Sequence, residues 1–127
     1  MKFNSLLFFL FILPFGFIKA QDPIGLPQLS SYKSIDYGAG TQNWDIAQDK
    51  NGILYFANNE GLLTFNGAYW KLYPFPNKTI VRSIEIDRKG KIFVGAQDEI
   101  GYYQPNKNGV LAYHSLKKLI PIRKTIC

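Results

Sequence analysis

An all-β fold, about two four-stranded antiparallel blades of an incomplete β-propeller preceded by a signal peptide, is what this sequence predicts. Three observations lead there. Asp49-Lys50-Asn51-Gly52-Ile53-Leu54-Tyr55-Phe56-Ala57 returns about forty residues later as Asp87-Arg88-Lys89-Gly90-Lys91-Ile92-Phe93-Val94-Gly95, a period at which repeated sheets stack. Short alternating or apolar-aromatic runs are separated by Gly, Asn and Asp clusters of turn chemistry. Helical patterning is nearly absent until Leu116-Lys117-Lys118-Leu119-Ile120, where Pro121 cuts it short.

Residues 1–20 read as a signal peptide, with a retained signal anchor as the competing reading. Lys2 precedes an apolar run from Leu6 to Ile18, too short for a membrane span of roughly twenty residues but suited to a secretory leader. Lys19 and Ala20 follow, so cleavage is expected between Ala20 and Gln21, and the product is expected to be periplasmic or secreted. No cysteine stands at the expected cut after the run to carry a lipid anchor.

Residues 21–40 hold Pro23, Gly25 and Pro27 and read as an extended lead-in. The first blade-like repeat is expected over 41–77. Trp44 to Gln48 alternates, Asp49 to Gly52 turns, and Ile53 to Ala57 is a continuous apolar run. Asn58 to Gly61 makes a second turn, Leu62 to Phe65 a third strand, Asn66-Gly67 a tight turn and Tyr69 to Tyr73 a fourth strand. Prolines 74 and 76 end the meander. The second repeat, 78–116, runs Ile80 to Ile86, Lys91 to Ala96, Ile100 to Gln104 and Val110 to His114, and its middle strands look covered on both faces. Residues 117–127 read as a truncated tail.

The chain has 127 residues, 15 basic and 9 acidic, for a formal charge of +6. Lys2 and Lys19 belong to the leader, and Lys117, Lys118, Arg123 and Lys124 to the tail, so the segment from Gln21 to Ser115 is neutral. Nucleic-acid binding needs a clustered basic surface, and none is expected from this segment. Cys127 has no partner for an intrachain bridge.

No catalytic, metal-binding or cofactor-binding residues are expected, and the ligand-binding residues are unknown at this level. Asp49 and Asp87 head equivalent Asp-x-x-Gly turns, where the carboxylate serves the backbone two residues on. A calcium loop needs alternating oxygen ligands, and the second copy supplies cations instead. Adjacent Asp98 and Glu99 should diverge, although a distant pair such as Glu60 and Asp98 stays open as a glycosidase arrangement. His114 is the single histidine, and Ser83 lacks the Gly-x-Ser-x-Gly elbow of a nucleophile. Asn77-Lys78-Thr79 fits a glycosylation acceptor but reads more simply as a loop. Of Trp44, Tyr55, Phe56, Phe65, Tyr69, Trp70, Tyr73 and Phe75, most are expected in the core; Tyr102 and Tyr103 stay undecided.

Gln42 to Asp49, Gly52 to Leu63 and Phe65-Asn66-Gly67 through Trp70 resemble the two-component-regulator propeller repeat of Bacteroidetes-type membrane-anchored sensors. Ile80 to Ile84 and Gly95 to Tyr102 look like the next blade of that family, and the likeness covers roughly residues 35 to 116. It implies a periplasmic propeller followed by a triple-tyrosine β-sandwich, a membrane helix and a cytoplasmic output, either a histidine kinase or a LuxR-type helix-turn-helix. On that reading the chain is a non-enzymatic sensor fragment with no cofactor. Its partners would be the downstream blades and output domain, together with an extracellular ligand such as a carbohydrate. The alternative is an interaction module that completes a partner's propeller or self-associates; less favoured is the start of a secreted propeller enzyme.

Overall fold

The computed structural model describes Gly25 and residues 27–121. The chain divides into two units, Met1–Ser30 and Ser31–Cys127. In the first, Gly25 and residues 27–30 are described and are exposed. The expected leader, its Ala20–Gln21 bond and residues 122–127 of the tail lie outside the described residues.

The described residues of the second unit form eight strands: β1 (Asn43–Gln48), β2 (Leu54–Asn58), β3 (Gly61–Phe65), β4 (Trp70–Pro74), β5 (Val81–Ile86), β6 (Ile92–Ala96), β7 (Glu99–Pro105) and β8 (Leu111–Ser115). A single helical turn, α1 (Ser34–Tyr37), precedes them and a 3-10 turn (Lys117–Leu119) follows. The strands form two antiparallel four-stranded sheets, in the orders β1-β2-β3-β4 and β5-β6-β7-β8. No described helix is long and apolar enough to cross a membrane.

Turn chemistry explains the hairpins. Asp49 Oδ1 accepts the N–H groups of Asn51 and Ile53 at 2.8 and 2.9 Å, and Asp87 Oδ1 those of Lys89 and Lys91 at the same distances. Asn66 Oδ1 takes Ala68 and Tyr69, and Asn106 Oδ1 takes Asn108 and Val110. Four turns at one end of the sheets are thus each organised by one short acceptor side chain. The glycine at the close of two of them has positive φ, +83° at Gly52 and +82° at Gly90, where a side chain would be strained.

Register is interrupted twice, at equivalent places. Trp44 is an extra residue between the pairs Asn43–Asn58 and Asp45–Ala57, and Arg82 between Val81–Ala96 and Ser83–Gly95. Such bulges re-aim side chains and increase local twist.

The core lies between the sheets. Tyr55, Ala57 and Leu62 of the first face Val81, Ile84, Ile92, Val94 and Tyr103 of the second, with Phe75 from the connecting segment closing one side. Full burial of each aliphatic side chain is worth about 1.5–3 kcal/mol. The approach is tightest at the first strands, where β1 and β2 lie against β5. Farther out the gap is filled by rings, with Tyr73 and Tyr103 centroids 6.3 Å apart and Phe75 and Tyr113 4.7 Å apart.

Three expectations change. The lead-in turns before the first strand, where Asp36 to Gly40 is turn-rich in sequence, but as a helical turn over Ser34–Tyr37: Asp36 accepts the Lys33 N–H at 2.7 Å and Gly38 closes the turn at φ +62°. The middle strands of the second sheet are covered on one face only: Ile92, Val94 and Tyr103 are buried, whereas Phe93 and Tyr102 are half-buried and Ile100 is exposed. Of the eight aromatic residues expected mostly in the core, Tyr55 and Phe75 are buried, Phe56, Phe65, Trp70 and Tyr73 are half-buried, and Trp44 and Tyr69 are exposed, since one is bulged outward and the other sits in the β3–β4 turn.

Candidate functional site

The Asx-turn ends of both sheets border a cleft of about 680 Å³. Because the sheets converge at β1 and β5 and diverge outward, the cleft forms where side chains no longer fill the wedge. Its apolar floor includes Ile53, Ile86, Ile92 and Leu111, and its aromatic wall includes Tyr55, Tyr69 and Tyr73. Lys50, Lys71, Arg88 and Lys89 supply four cations around it.

The two carboxylates in the lining are Asp49 and Asp87. Asp49 is fully engaged, for besides its turn bonds Oδ2 accepts the Tyr55 hydroxyl at 3.2 Å. Burial, reinforced by that carboxylate, pushes the Tyr55 phenol up to about 12. Asp87 spends Oδ1 on its own turn. These are the roles expected of them from sequence, and they leave the cleft with a cationic rim and a tyrosine wall. Tyr69 is 76% exposed, and the Lys71 ammonium lies 4.8 Å from the Tyr73 ring centroid. Stacking faces beside cations suit a planar or sugar-like ligand carrying negative charge.

A second constellation sits on the inner strands. The two bulged residues meet, with the Arg82 guanidinium 4.0 Å from the Trp44 ring centroid. Trp44 Nε1 donates to Asn59 Oδ1 at 2.8 Å, which fixes the indole. Sequence reading missed this pair, since a bulge is invisible in an alternating pattern until the partner strand is known. The equivalence of positions 44 and 82 in the repeat was the available signal.

The remaining candidates separate as follows. Asp98 and Glu99 diverge: Asp98 pairs with Lys117 at 3.0 Å, both exposed, whereas Glu99 accepts the hydroxyls of Tyr113 at 3.1 Å and Ser115 at 2.5 Å. The Ser115 hydroxyl first, and then that of Tyr113, hold the Glu99 carboxyl below the usual range. His114 stacks on Tyr102, centroids 5.0 Å apart. Ser83 is an exposed strand residue, and Asn77 is exposed in the connecting loop. Tyr103, undecided from sequence, is core; its phenol is pushed up to about 12 by burial. Among the described residues no group of three or more His, Cys, Asp or Glu could hold a metal ion. Comparison with protein-family models, with curated proteins and with solved structures finds no match to this chain.

Proposed function

We propose that this chain is a non-enzymatic sensor segment, the N-terminal part of an extracytoplasmic β-propeller in a membrane-anchored signalling or transcription regulator. The supporting observation is the stacking relation. The two sheets share one strand order and one bulge position, approach most closely at their first strands, and diverge outward. That relation supports reading the sheets as neighbouring propeller blades. Ligand contact is assigned to the cleft between the Asx-turn ends, with Tyr69 as a stacking surface and Lys71 as a charge partner for an acidic carbohydrate.

The test is titration of the full chain with neutral and acidic oligosaccharides, followed by intrinsic fluorescence and melting temperature. Acidic ligands should raise the melting temperature, and Tyr69→Ala and Lys71→Ala should each weaken the response. Equal responses in the variants, or a preference for neutral ligands, would sink the assignment.

One observation favours a second reading, an interaction module completing a partner's propeller. The face of the second sheet turned away from the first exposes Ile100, 41% accessible, beside the half-buried rings of Phe93 and Tyr102. Saturable binding to separately produced blades of the same repeat, without any small-ligand response, would favour it over the sensor reading.

A further inference from the structure

The two faces of each sheet are not equivalent, and the repeat shows which is which. Positions Tyr55, Ala57, Leu62 and Thr64 of the first sheet correspond to Phe93, Gly95, Ile100 and Tyr102 of the second. In the first sheet this face packs on the second sheet. In the second sheet it is the half-exposed outer face. Likewise Phe56, Leu63 and Phe65 correspond to Val94, Gly101 and Tyr103, the side of the second sheet against which the first is packed. The sheets therefore stack head to tail, a heterologous contact that can be repeated.

The face that bears Phe56, Leu63 and Phe65 carries no second sheet; Trp70 lies against Phe56 and Phe65, and the segment 31–40 lies on Trp70 and Phe65. Tyr32 and Tyr37 lie on Trp70, with centroids 5.2 and 5.4 Å away, and Tyr32 also meets Phe65 at 5.4 Å. Phe56 and Phe65 hold Trp70 from beneath at 5.5 and 4.4 Å. Ala39 is buried, and Leu63 is wholly inaccessible. The strap is tied at its end by Asn58, 0% exposed, whose Nδ2 donates to the Gly40 carbonyl at 2.7 Å and to Asn43 Oδ1 at 2.8 Å while Oδ1 accepts the Glu60 N–H at 3.0 Å. The position equivalent to Asn58 in the second repeat is Ala96, so the tether belongs to the first sheet alone.

We infer that residues 31–40 are a releasable cap over a sheet-docking face, and that the occupant of the uncapped face is the outer face of the second sheet of another copy of this chain. The internal interface is the template: the same repeat positions already meet once within the chain, so displacing the strap regenerates that contact between copies. Closed strap and open strap are then two states, the first monomeric and the second associating head to tail. The inference stands on the strap and the repeat and does not depend on any ligand in the cleft.

The test compares the full chain with a strap-released variant, Tyr32→Ser with Tyr37→Ser, and with the tether variant Asn58→Ala, each by light scattering over a hundredfold concentration range. Both variants should associate at concentrations at least tenfold lower than the unmodified chain. Adding Ile100→Glu, a change on the outer face of the second sheet, should return them to monomer. Release without association, or association that survives Ile100→Glu, overturns the proposal. A variant that loses its cooperative melt is replaced by hydrogen exchange on the unmodified chain. Raising its concentration should speed exchange in 31–40 and slow it in β7, and unchanged exchange in either segment overturns the proposal as well.

Discussion

The Asp45 carboxylate joins the two sheets through the backbone of Ile84: Oδ2 accepts the Ile84 N–H at 2.9 Å, while Oδ1 accepts the N–H of Ile46 at 2.9 Å. Ile46 and Ile84 occupy equivalent places in the repeat, each just past a bulge. One side chain thus serves both amides where the bulges disturb the ladder. Asp45→Ala should lower the unfolding free energy by about 2 kcal/mol, the scale of hydrogen bonds to a charged group. Asp45→Asn, which keeps an acceptor, should cost less. Urea unfolding midpoints of the two variants check the order.

Leu63 gauges how firmly the strap is seated. It is inaccessible on the face that also carries Trp70 and residues 31–40, so Leu63→Ala should cost about 2–5 kcal/mol, as buried leucines do. The exposed Ile100→Ala should stay within about 0.5 kcal/mol. Similar losses at both positions in denaturant melts would show that the strap does not shield its face in solution.

Gly101 sits where β7 has no room. A Cβ there would meet the Tyr113 hydroxyl and the His114 carbonyl, and the latter is backbone that cannot swing aside. Gly101→Ala should therefore abolish a cooperative melt or displace β8, seen as lost protection of Leu111–Ser115 in hydrogen exchange. Gly67→Ala, with nothing within 4 Å but φ at +94°, should cost about 1 kcal/mol from backbone strain alone.

Acid and alkali should act on different residues. The folded-state pKa of Glu99 is depressed, by Ser115 first, so its contribution is present above the unfolded value near pH 4.5 and is lost as pH falls through the lower folded value. Glu99→Gln should flatten the acid limb of a stability–pH curve. Tyr55 and Tyr103 are raised from 10.0 to about 12, so their contribution is complete below pH 10 and drains away as pH climbs toward 12. Tyr103→Phe should remove part of the alkaline limb and, because its buried hydroxyl has no partner, leave neutral-pH stability equal or higher. Tyrosinate absorbance together with unfolding midpoints reads both limbs.

The inner-strand pair makes a small predicted effect. Arg82→Ala should cost about 0.5–1 kcal/mol and alter the emission of Trp44, whose ring it covers. Arg82→Lys should restore only part of it, because a flat guanidinium stacks where an ammonium does not.

The strands and turns were legible in the chain because the forces that make them are local. Asp49 and Asp87 reach amides within their own turns, alternation carries a period of two, and Pro74 ends a strand wherever it is read. The doubled motif likewise announced two similar sheets, and both have the same strand order. Even so, Trp44 reads as a buried strand residue until the pairing with β2 shows it bulged, and Tyr69 as a strand residue until Asn66 is seen to draw it into a turn.

Which surfaces meet was decided only by tertiary structure. That Tyr32 and Tyr37 seal the first sheet, that Asn58 reaches Gly40, and that Ile100 stays accessible depend on contacts between residues far apart in the chain. Burial is a property of a packed pair of faces, so a pattern along one strand can declare a face apolar and still not name what covers it. The sequence by itself determined two like antiparallel sheets among the described residues; the folded arrangement laid a strap on one outward face and left Ile100 accessible on the other.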